Sequence, residues 1–382
     1  MLLLDHYIIR RFFVNFLLLF ALLFIFVIAV DLILQLDKFV DVIRNRLAAD
    51  AGFVEYALQL ARIVFDFHGP RIFQFFAYLH GLLAIGAAGF TLAQMHRHKE
   101  LVAVMASGIS LHRVAMPFIA AAFALNLVQL VNQELLLPRL APLLIRKHGD
   151  IGRSGLSAFR VDLTRDGEGA LLIAPKFDQP TATLEFPVIL RRDQDGRTIE
   201  RITADSARWD PAFPCNNQTG AWVLVNGRRM YPPKLSDQGD ELTASSVESI
   251  GCYTTDLTPD VLVMRRHAQY ASLLSVSRLN EMLGMRGVVD AAALTRFKYS
   301  RFSAVLINLL VLTISLPFFL LREPANLLRQ SLLCAAVAVP GLLGALIGMT
   351  VPLPRIPAPV GVFLPVFILV FITPFIVSRV KT

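Results

Sequence analysis

Six runs of about 20 mainly apolar residues constrain this chain more than any other feature. They cover residues 12–34, 72–95, 114–137, 302–321, 332–351 and 360–377. A helix needs about 20 such residues to cross the hydrocarbon core of a bilayer. Charged residues make up only 17% of the chain, against roughly 25% in soluble domains. The sequence therefore predicts a mainly α-helical membrane protein, with three transmembrane helices on each side of a large polar insert.

The first apolar run is longer than the apolar core of a signal peptide. Asp31 lies near the end of this run and Gln35 follows it, where a cleavable signal would carry small residues. We therefore expect this run to be retained as the first transmembrane helix.

Lysine and arginine concentrate at alternate ends of the apolar runs. Short loops rich in these residues remain in the cytoplasm, and with an even number of spans all of these groups fall on one side. The insert then lies outside the cytoplasm, together with residues 37–69, where acidic residues offset several basic ones. The residues on the predicted cytoplasmic side are Arg10, Arg11, Arg97, Lys99, Arg113, Arg322, Arg329, Arg379 and Lys381.

The insert changes character at about residue 158. Short runs rich in β-branched and aromatic residues alternate with turn signals such as "RDGEG" and "DQP", which is typical of an antiparallel sandwich or jelly roll. A β-domain that serves only as a spacer remains an alternative. Past Pro259 the pattern becomes helical, and "SVSRLNEMLGMRG" predicts an amphipathic helix before the fourth span.

These patterns predict four segments: three spans over 1–137, a β-domain over 138–264, a connecting helix over 265–299, and three spans over 300–382. Cys215 and Cys252 both lie in the insert and could pair in an oxidising compartment. Their spacing alone does not establish the bond.

No catalytic motif is present. None of the lysines follows a glycine, as a phosphate-binding P-loop requires, and neither H-E-x-x-H nor G-x-S-x-G occurs. The "HRH" at 96–98 points its two imidazoles apart on a helix and favours a charged face over a metal site. We therefore expect that this chain is not an enzyme and that it holds no cofactor. Any ATP hydrolysis must then occur in another subunit.

The charged elbow between the second and third spans contains a short helical pattern at about 96–108. Gly108 is placed to end this helix, and Ser110 to cap the next one. Glu100, Val104 and Ser107 share one side of such a helix. A short helix of this kind suits a groove on a cytoplasmic partner, although it could also be an amphipathic linker that rests on lipid.

The segment "HKELVAVMASGISLHRVAMP" resembles the coupling segment of the LptF/LptG permeases of lipopolysaccharide export, in which a glutamate precedes A-S-G-[IF]-S, a basic residue and a proline. Here these are Glu100, residues 106–110, Arg113 and Pro117. "LDHYIIRRF" is similar to the family's D-R-Y-I opening, with His6 where arginine is usual. "GAWVLVNGRRMY" and "TTDLTPDVL" resemble a strand and the exit of its periplasmic domain. The resemblance covers essentially the whole chain and does not separate the F-type from the G-type subunit.

The resemblance implies a fold of six transmembrane helices with an inserted periplasmic β-jelly-roll domain. It also implies a non-enzymatic permease subunit of an ABC transporter in the cell inner membrane. Its partners would be a second LptF/LptG-like subunit, a cytoplasmic LptB-type ATPase dimer, a single-span LptC-type protein and a periplasmic jelly-roll bridge. Lipopolysaccharide would enter from the outer leaflet and pass through the jelly rolls; no metal or nucleic-acid partner is implied. Glu100, Leu101, Val104, Ser107 and Gly108 would couple the ATPase to the membrane.

An anionic, phosphorylated lipid calls for basic residues near the outer interface, because arginine and lysine bind phosphate. The substrate-binding candidates are Lys38, Arg44, Arg71, Arg146 and Lys147. Each of them could instead extend to ordinary lipid headgroups, as basic residues at the ends of spans commonly do.

The resemblance also implies a lateral gate made by the first and fifth spans. Gly344 and Gly348 in the fifth span are four residues apart, a spacing that allows close helix contact; ordinary packing within the bundle explains it equally well. Asp31 in the first span would repel phosphate, and it could instead pair with a cation on the partner subunit.

Two other functions remain open at this stage. One is a different ABC-type mechanotransmission protein, in which the outer domain moves but no lipid crosses. The other is a membrane scaffold whose β-domain docks a periplasmic partner through an unpaired strand. A copurifying ATPase that depends on Glu100 would distinguish the permease from the scaffold.

Overall fold

The structure is a computed structural model. It describes residues 3–44, 52–146, 148–150, 156–193, 197–215, 218–232, 246–267, 269–284, 291–320, 327–351 and 356–378. Lys147, Arg322, Arg379 and Lys381 of the sequence analysis lie outside the described residues. The chain divides into two compact units. The membrane unit comprises Met1–Leu140, Leu274–Leu279 and Asp290–Thr382, and the insert unit comprises Ala141–Leu273 and Asn280–Val289.

Six helical segments are long and apolar enough to cross a membrane, which confirms the six predicted spans: Leu3–Leu34, Arg71–Arg97, Leu111–Leu144, Ala291–Phe318, Leu328–Gly348 and Ala358–Val377. In chain order the first helices are α1 (Leu3–Leu34), α2 (Leu36–Arg44), α3 (Phe53–His68), α4 (Arg71–Arg97), α5 (Glu100–Ala106), α6 (Leu111–Val131), a π-helical turn (Asn132–Leu136) and α7 (Leu137–Leu144). After the strands come α8 (Pro259–Arg266), α9 (Tyr270–Leu273), α10 (Val276–Gly284), α11 (Ala291–Ser315), a 3₁₀ turn (Leu316–Phe318), α12 (Leu327–Thr350) and α13 (Ala358–Val377).

We call the end of the bundle that carries α5 the elbow end. The insert end is the opposite one, where α6 leaves for the insert unit and α11 returns from it. Near the elbow end Ile8 and Phe12 of α1 are fully buried in one apolar core with Leu92 of α4 and Phe118 of α6. Towards the insert end α1 exposes most of its apolar side chains, Ile33 among them. Exposed apolar surface of this extent suits contact with lipid or with a partner helix.

Three polar side chains meet inside the membrane unit. His80 of α4, Asn126 of α6 and Asn308 of α11 lie within 3.5 Å of one another. The sequence analysis did not anticipate this cluster, which offsets the high cost of polar groups in an apolar bundle. The approach is close at Gly81, where an added Cβ would lie 2.2 Å from Asn308 Oδ1. Any larger residue at this crossing of α4 and α11 would therefore require the Asn308 side chain to shift.

An ion pair at the insert end joins the two connections to the insert. Glu134, in the π-helical turn after α6, accepts a 2.5 Å bond from Nη1 of Arg301 on α11. Its other oxygen accepts from the backbone N–H of Val276 at 2.9 Å. Arg301 also donates to the backbone oxygen of Leu274. The segment that leaves the β-domain is thereby attached to both α6 and α11.

The insert unit contains one ten-stranded antiparallel sheet. Its strands are β1 (Phe159–Arg165), β2 (Leu171–Asp178), β3 (Thr183–Glu185), β4 (Val188–Arg192), β5 (Thr198–Thr203), β6 (Ser206–Cys215), β7 (Gln218–Val225), β8 (Arg228–Met230), β9 (Val247–Ser249) and β10 (Cys252–Tyr253). This confirms the predicted antiparallel β-domain between the helices. The sheet curls over its own apolar face, as a jelly roll does.

The sheet bends along one line that crosses neighbouring strands. β2 pairs with β4 through its first half and with β3 through its second half, and β3 and β4 are separated only by Phe186 and Pro187. Asn226, between β7 and β8, and Phe186 both have positive φ. Asn226 donates to Asp205, which lies between β5 and β6, at 2.7 Å. Local kinks in successive strands therefore produce the curl.

A disulfide and an aromatic pair stabilise one part of this sheet. Cys215, at the end of β6, is bonded to Cys252, at the start of β10. The sequence analysis left this disulfide open, and the structure contains it. Trp222 of β7 is buried, packs edge-on to Trp209 of β6, and donates its indole N–H to Leu257 O at 3.0 Å.

Candidate functional site

The elbow turns sharply at both ends of α5. Lys99 has φ 57°, a left-handed conformation that is uncommon for a lysine, and it separates α4 from α5. After α5, Gly108 has φ +80°, its N–H bonds to Met105 O at 3.0 Å, and the N–H of Ile109 bonds to Val104 O at 3.3 Å. These two bonds define a Schellman motif. The helix thus begins at Glu100, later than the predicted residue 96, because α4 continues to Arg97.

Ser110 caps the following helix, as the sequence predicts. Its hydroxyl accepts the backbone N–H of Arg113 at 3.4 Å. Gly108 and Ser110 together fix where α5 ends and α6 begins, so the elbow has a defined geometry.

The buried face of α5 differs from the predicted one. Leu101 is fully buried, and Val104 and Met105 pack against the apolar core of the membrane unit. Of the predicted coupling residues, Ser107 and Gly108 are exposed and Glu100 is partly exposed. Leu101 and Val104 therefore position α5, whereas its accessible surface lies elsewhere.

That accessible surface is a stripe of small and apolar residues. Val102, Ala103 and Ala106 are exposed together with Ser107. They follow the i, i+1, i+4, i+5 pattern of one helix face. The sequence analysis missed this face because it paired Val104 with Glu100. The available signal was the concentration of large apolar residues at Leu101, Val104 and Met105, opposite the stripe.

Glu100 binds the first transmembrane helix. Nη1 of Arg11 lies 3.0 Å from both carboxylate oxygens, and the hydroxyl of Tyr7 donates to Oε2 at 2.9 Å. The Arg11 guanidinium also lies 4.5 Å from the centre of the Tyr7 ring. These partners are 89 and 93 residues away in sequence. Glu100 therefore links the start of α5 to the first transmembrane helix.

Two further contacts hold the elbow. Nη2 of Arg113, in the first turn of α6, donates to Oδ2 of Asp5 on α1 at 2.7 Å. His96 Nε2 lies 2.7 Å from the backbone oxygen of Phe319. Since a carbonyl oxygen only accepts, this nitrogen carries a proton. The two histidines of the "HRH" sequence therefore have different environments: His96 contacts Phe319 O, and His98 is the C-terminal cap residue of α4.

Three of the basic substrate-binding candidates lie at the insert end: two on α2, and one at the start of α4. Lys38 and Arg44 on α2 have exposed side chains. The guanidinium of Arg71, the first residue of α4, lies 3.8 Å from the centre of the Phe67 ring. Phe67 in turn contacts Phe39 of α2, with ring centres 6.0 Å apart. Packing between α2 and α3 therefore brings the helix of Lys38 and Arg44 to the corner where Arg71 begins α4.

Arg146 does not resemble the other basic candidates. It belongs to the insert unit, it is 2% exposed, and its Nε donates to the backbone oxygen of Leu143 at 3.2 Å. Its burial and this contact distinguish Arg146 from the exposed candidates Lys38 and Arg44. Lys147, its neighbour, lies outside the described residues.

Two of the three proposed gate residues, Asp31 and Gly348, have close contacts within this chain. Oδ2 of Asp31 lies 3.3 Å from His68 Nε2. A Cβ added to Gly348 would lie 2.7 Å from Pro365 Cγ, which places Gly348 against α13. Gly344 has no atom within 4 Å of such a Cβ among the described residues. The close contact at Gly348 therefore belongs to the bundle itself.

The curled sheet encloses an apolar interior. Its lining includes Leu172, Leu184, Ile189 and Trp222, with Tyr253 and Asp166 among the polar groups. Asp166 accepts the backbone N–H groups of Glu168 and Ala170, at 3.0 and 2.7 Å, and the Tyr253 hydroxyl lies 3.4 Å away.

Burial and the charge of Asp166 raise the pKa of the Tyr253 hydroxyl, so that it remains a neutral donor. Burial likewise raises the pKa of the nearby Asp256 carboxyl, although a backbone N–H from Gly167 opposes that shift. One side of the lining therefore carries hydrogen-bonding groups, and the remainder is apolar.

Comparison with protein families gives one match, to the lipopolysaccharide export system permease LptF/LptG, over residues 62–379. No curated protein matches the chain. The matched region contains α5, the whole curled sheet and the last five of the six spans. With its three-plus-three spans and inserted β-domain, the chain belongs to the LptF/LptG family of lipopolysaccharide export permeases.

Proposed function

We propose that this chain is one subunit of an ATP-driven transporter that extracts lipopolysaccharide from the outer leaflet of the inner membrane and passes it to a periplasmic bridge. The observation that carries the proposal is the elbow. Within a family of lipopolysaccharide permeases, α5 is held rigidly at the end of two spans with a small apolar face exposed. The chain supplies this docking element, and a separate ATPase dimer supplies hydrolysis.

Two observations, the charge of the elbow and the disulfide, support the proposed orientation. The short elbow carries Arg97, Lys99 and Arg113, and a short basic loop suits the cytoplasmic side. The Cys215–Cys252 bond in the insert unit suits an oxidising compartment such as the periplasm. Both observations support an inner-membrane protein whose β-domain is periplasmic.

The ATPase would dock on the exposed stripe of α5. Val102, Ala103 and Ala106 are small enough to enter an apolar groove, and Ser107 adds a hydroxyl at its edge. The buried Leu101 makes the helix part of the bundle, so a force applied to the stripe would reach the spans.

The lipid path would begin at the insert end and continue into the curled sheet. Lys38, Arg44 and Arg71 would contact phosphate groups near the outer interface. The exposed apolar faces of α1 and α12 would meet a second LptF/LptG-like subunit and open as a lateral gate. The acyl chains would then follow the apolar lining of the β-domain.

The test is purification of the full-length chain from its own membranes in mild detergent, followed by mass spectrometry of bound proteins and lipids. We expect a second permease subunit, an ATPase and lipopolysaccharide. Val102→Glu places a charge in the docking stripe and is expected to reduce ATPase recovery by at least about tenfold, as loss of a central interface contact does. His112→Glu is the matched control, because His112 is exposed at the same end but lies on α6.

Two results would contradict the proposal. One is a complex that contains ordinary phospholipid but no lipopolysaccharide. The other is unchanged ATPase recovery with Val102→Glu, which would show that α5 is not the docking element.

A further inference from the structure

Five charged or polar side chains connect α1 to the elbow. We call them the clasp: Asp5, Tyr7 and Arg11 on α1, Glu100 at the start of α5, and Arg113 in the first turn of α6. Arg11 and Tyr7 give Glu100 three contacts of 2.9 to 3.0 Å. Arg113 and Asp5 are 2.7 Å apart. Ion pairs therefore attach the start of α5 and the start of α6 to one transmembrane helix.

The α1 side of the clasp is pre-organised. Tyr7 and Arg11 are four residues apart and thus adjacent on the helix surface. The guanidinium packs over the phenol ring at 4.5 Å, which limits the rotamers of both side chains. Both groups then donate to the same carboxylate, so Glu100 has a single well-defined position.

The order of charges fixes the position of α1 along its axis. From its N-terminus α1 presents an anion at Asp5 and then a cation at Arg11, and the elbow presents the complementary Arg113 and Glu100. Asp5 and Arg11 are separated by about 9 Å at 1.5 Å per residue. If α1 slid by that distance, like charges would face each other, which is unfavourable.

We propose that Tyr7 and Arg11 are positioning residues that transmit movement of α5 to α1; this inference rests on the proposed function. The first half of α1 is packed in the core, whereas its second half exposes apolar surface as far as Leu34. A displacement of α5 pulls on Arg11 through Glu100 and tilts α1 as a rigid rod. The largest movement then occurs at the insert end of α1, where the lipid enters.

Glu100 consequently joins the start of α5 to α1 through Arg11, in addition to any contact that α5 makes with the ATPase. The side chains of Arg11 and Glu100 are 32% and 28% exposed. A pair with this exposure contributes little to folding stability, so charge-reversal variants are expected to fold.

The experiment is a charge-swap cycle in the full complex, reconstituted with its ATPase in vesicles loaded with lipopolysaccharide. Arg11→Glu, Glu100→Arg and the double swap are compared for ATPase binding and for lipopolysaccharide released per ATP hydrolysed. Arg11→Glu is expected to retain the ATPase, and each single swap is expected to lower release per ATP by about fivefold, the equivalent of one ion pair. The double swap is expected to recover to within about twofold of wild type.

Arg10→Glu is the matched control. Arg10 is exposed, precedes Arg11, and forms no ion pair within the part of the chain that the structure describes. It receives the same change in charge, and its release per ATP is expected to equal that of wild type. Tyr7→Phe removes only the hydroxyl and is expected to give a smaller loss than Arg11→Glu.

Two results would overturn the inference: Arg11→Glu that behaves like wild type, or a double swap no better than Glu100→Arg alone. If Glu100→Arg instead loses the ATPase and Arg11→Glu does not respond, Glu100 contacts the ATPase directly and the clasp has no role. Failure of the proposed function itself is visible separately, as absence of ATP-dependent lipopolysaccharide release in the wild-type arm.

Discussion

The disulfide of the insert unit gives the most quantitative prediction. Cys215 and Cys252 are 37 residues apart in sequence. Closing a loop of that size removes about 13 cal/mol/K of entropy from the unfolded chain, or about 4 kcal/mol at 25 °C. The insert unit contains roughly 140 residues, for which the entropy of unfolding is about 0.3 kcal/mol/K. Replacing both cysteines by serine should therefore lower the Tm of the insert unit by about 13 °C.

The chain offers a selective probe for this measurement. Its only two tryptophans are Trp209 and Trp222, both on strands of the insert unit. Tryptophan fluorescence of the full-length protein in detergent consequently reports unfolding of this unit and not of the membrane unit. Cys334→Ser is the matched control, because Cys334 is a free cysteine buried in α12.

Reduction of the wild-type protein should lower its Tm to that of the double serine variant. The same reducing treatment should leave the Tm of the double serine variant unchanged. The reasoning is refuted if the fluorescence Tm of the variant falls by less than about 3 °C, well below the usual effect of a disulfide. It is equally refuted if Cys334→Ser lowers that Tm as much as the double variant does.

Three further predictions concern the membrane unit. The first two are measured as unfolding of this unit, followed by the reaction of a thiol-specific dye with the buried free cysteine Cys334. Gly81→Ala should destabilise this unit by about 2 kcal/mol through overpacking, and the double variant with Asn308→Ala should lose less than the sum of the two single losses, because the atom that the new Cβ meets is gone. Glu134→Ala should cost about 3 kcal/mol because it leaves the buried Arg301 without its carboxylate, whereas Arg301→Met with Glu134→Ala should cost less; equal losses would contradict this account. A photocrosslinker at Arg44 should capture lipopolysaccharide in cells, and adducts with phospholipid alone would exclude this residue from the lipid path.

The sequence predicts those parts of the fold that depend on local chemistry. Six apolar runs identified the six spans, and Gly108 and Ser110 identified the end of α5 and the cap of α6. A glycine with positive φ and a serine at an N-cap act within a few residues of themselves. The position of these signals in the sequence is therefore sufficient.

The remaining features depend on partners that are distant in the chain. The first span begins at Leu3 and not at residue 12, because Asp5 and Arg11 are paired with Arg113 and Glu100 and so extend the helix past its apolar part. A helix as short as α5 can bury any of its faces, and only packing against the bundle selects the Leu101 side. The same limit applies to the Asp31–His68 pair and to the contact of Gly348 with α13.

The central claim is that lipopolysaccharide passes through the curled sheet when ATP is hydrolysed. The most direct measurement places a photoreactive phenylalanine at Tyr253, an aromatic residue that lines the interior, and at Phe186, which is 61% exposed on the same sheet. The account predicts a lipopolysaccharide adduct at the Tyr253 position that appears only with ATP hydrolysis, and none at the Phe186 position. An adduct that forms equally without ATP, or one made of ordinary phospholipid, would contradict it.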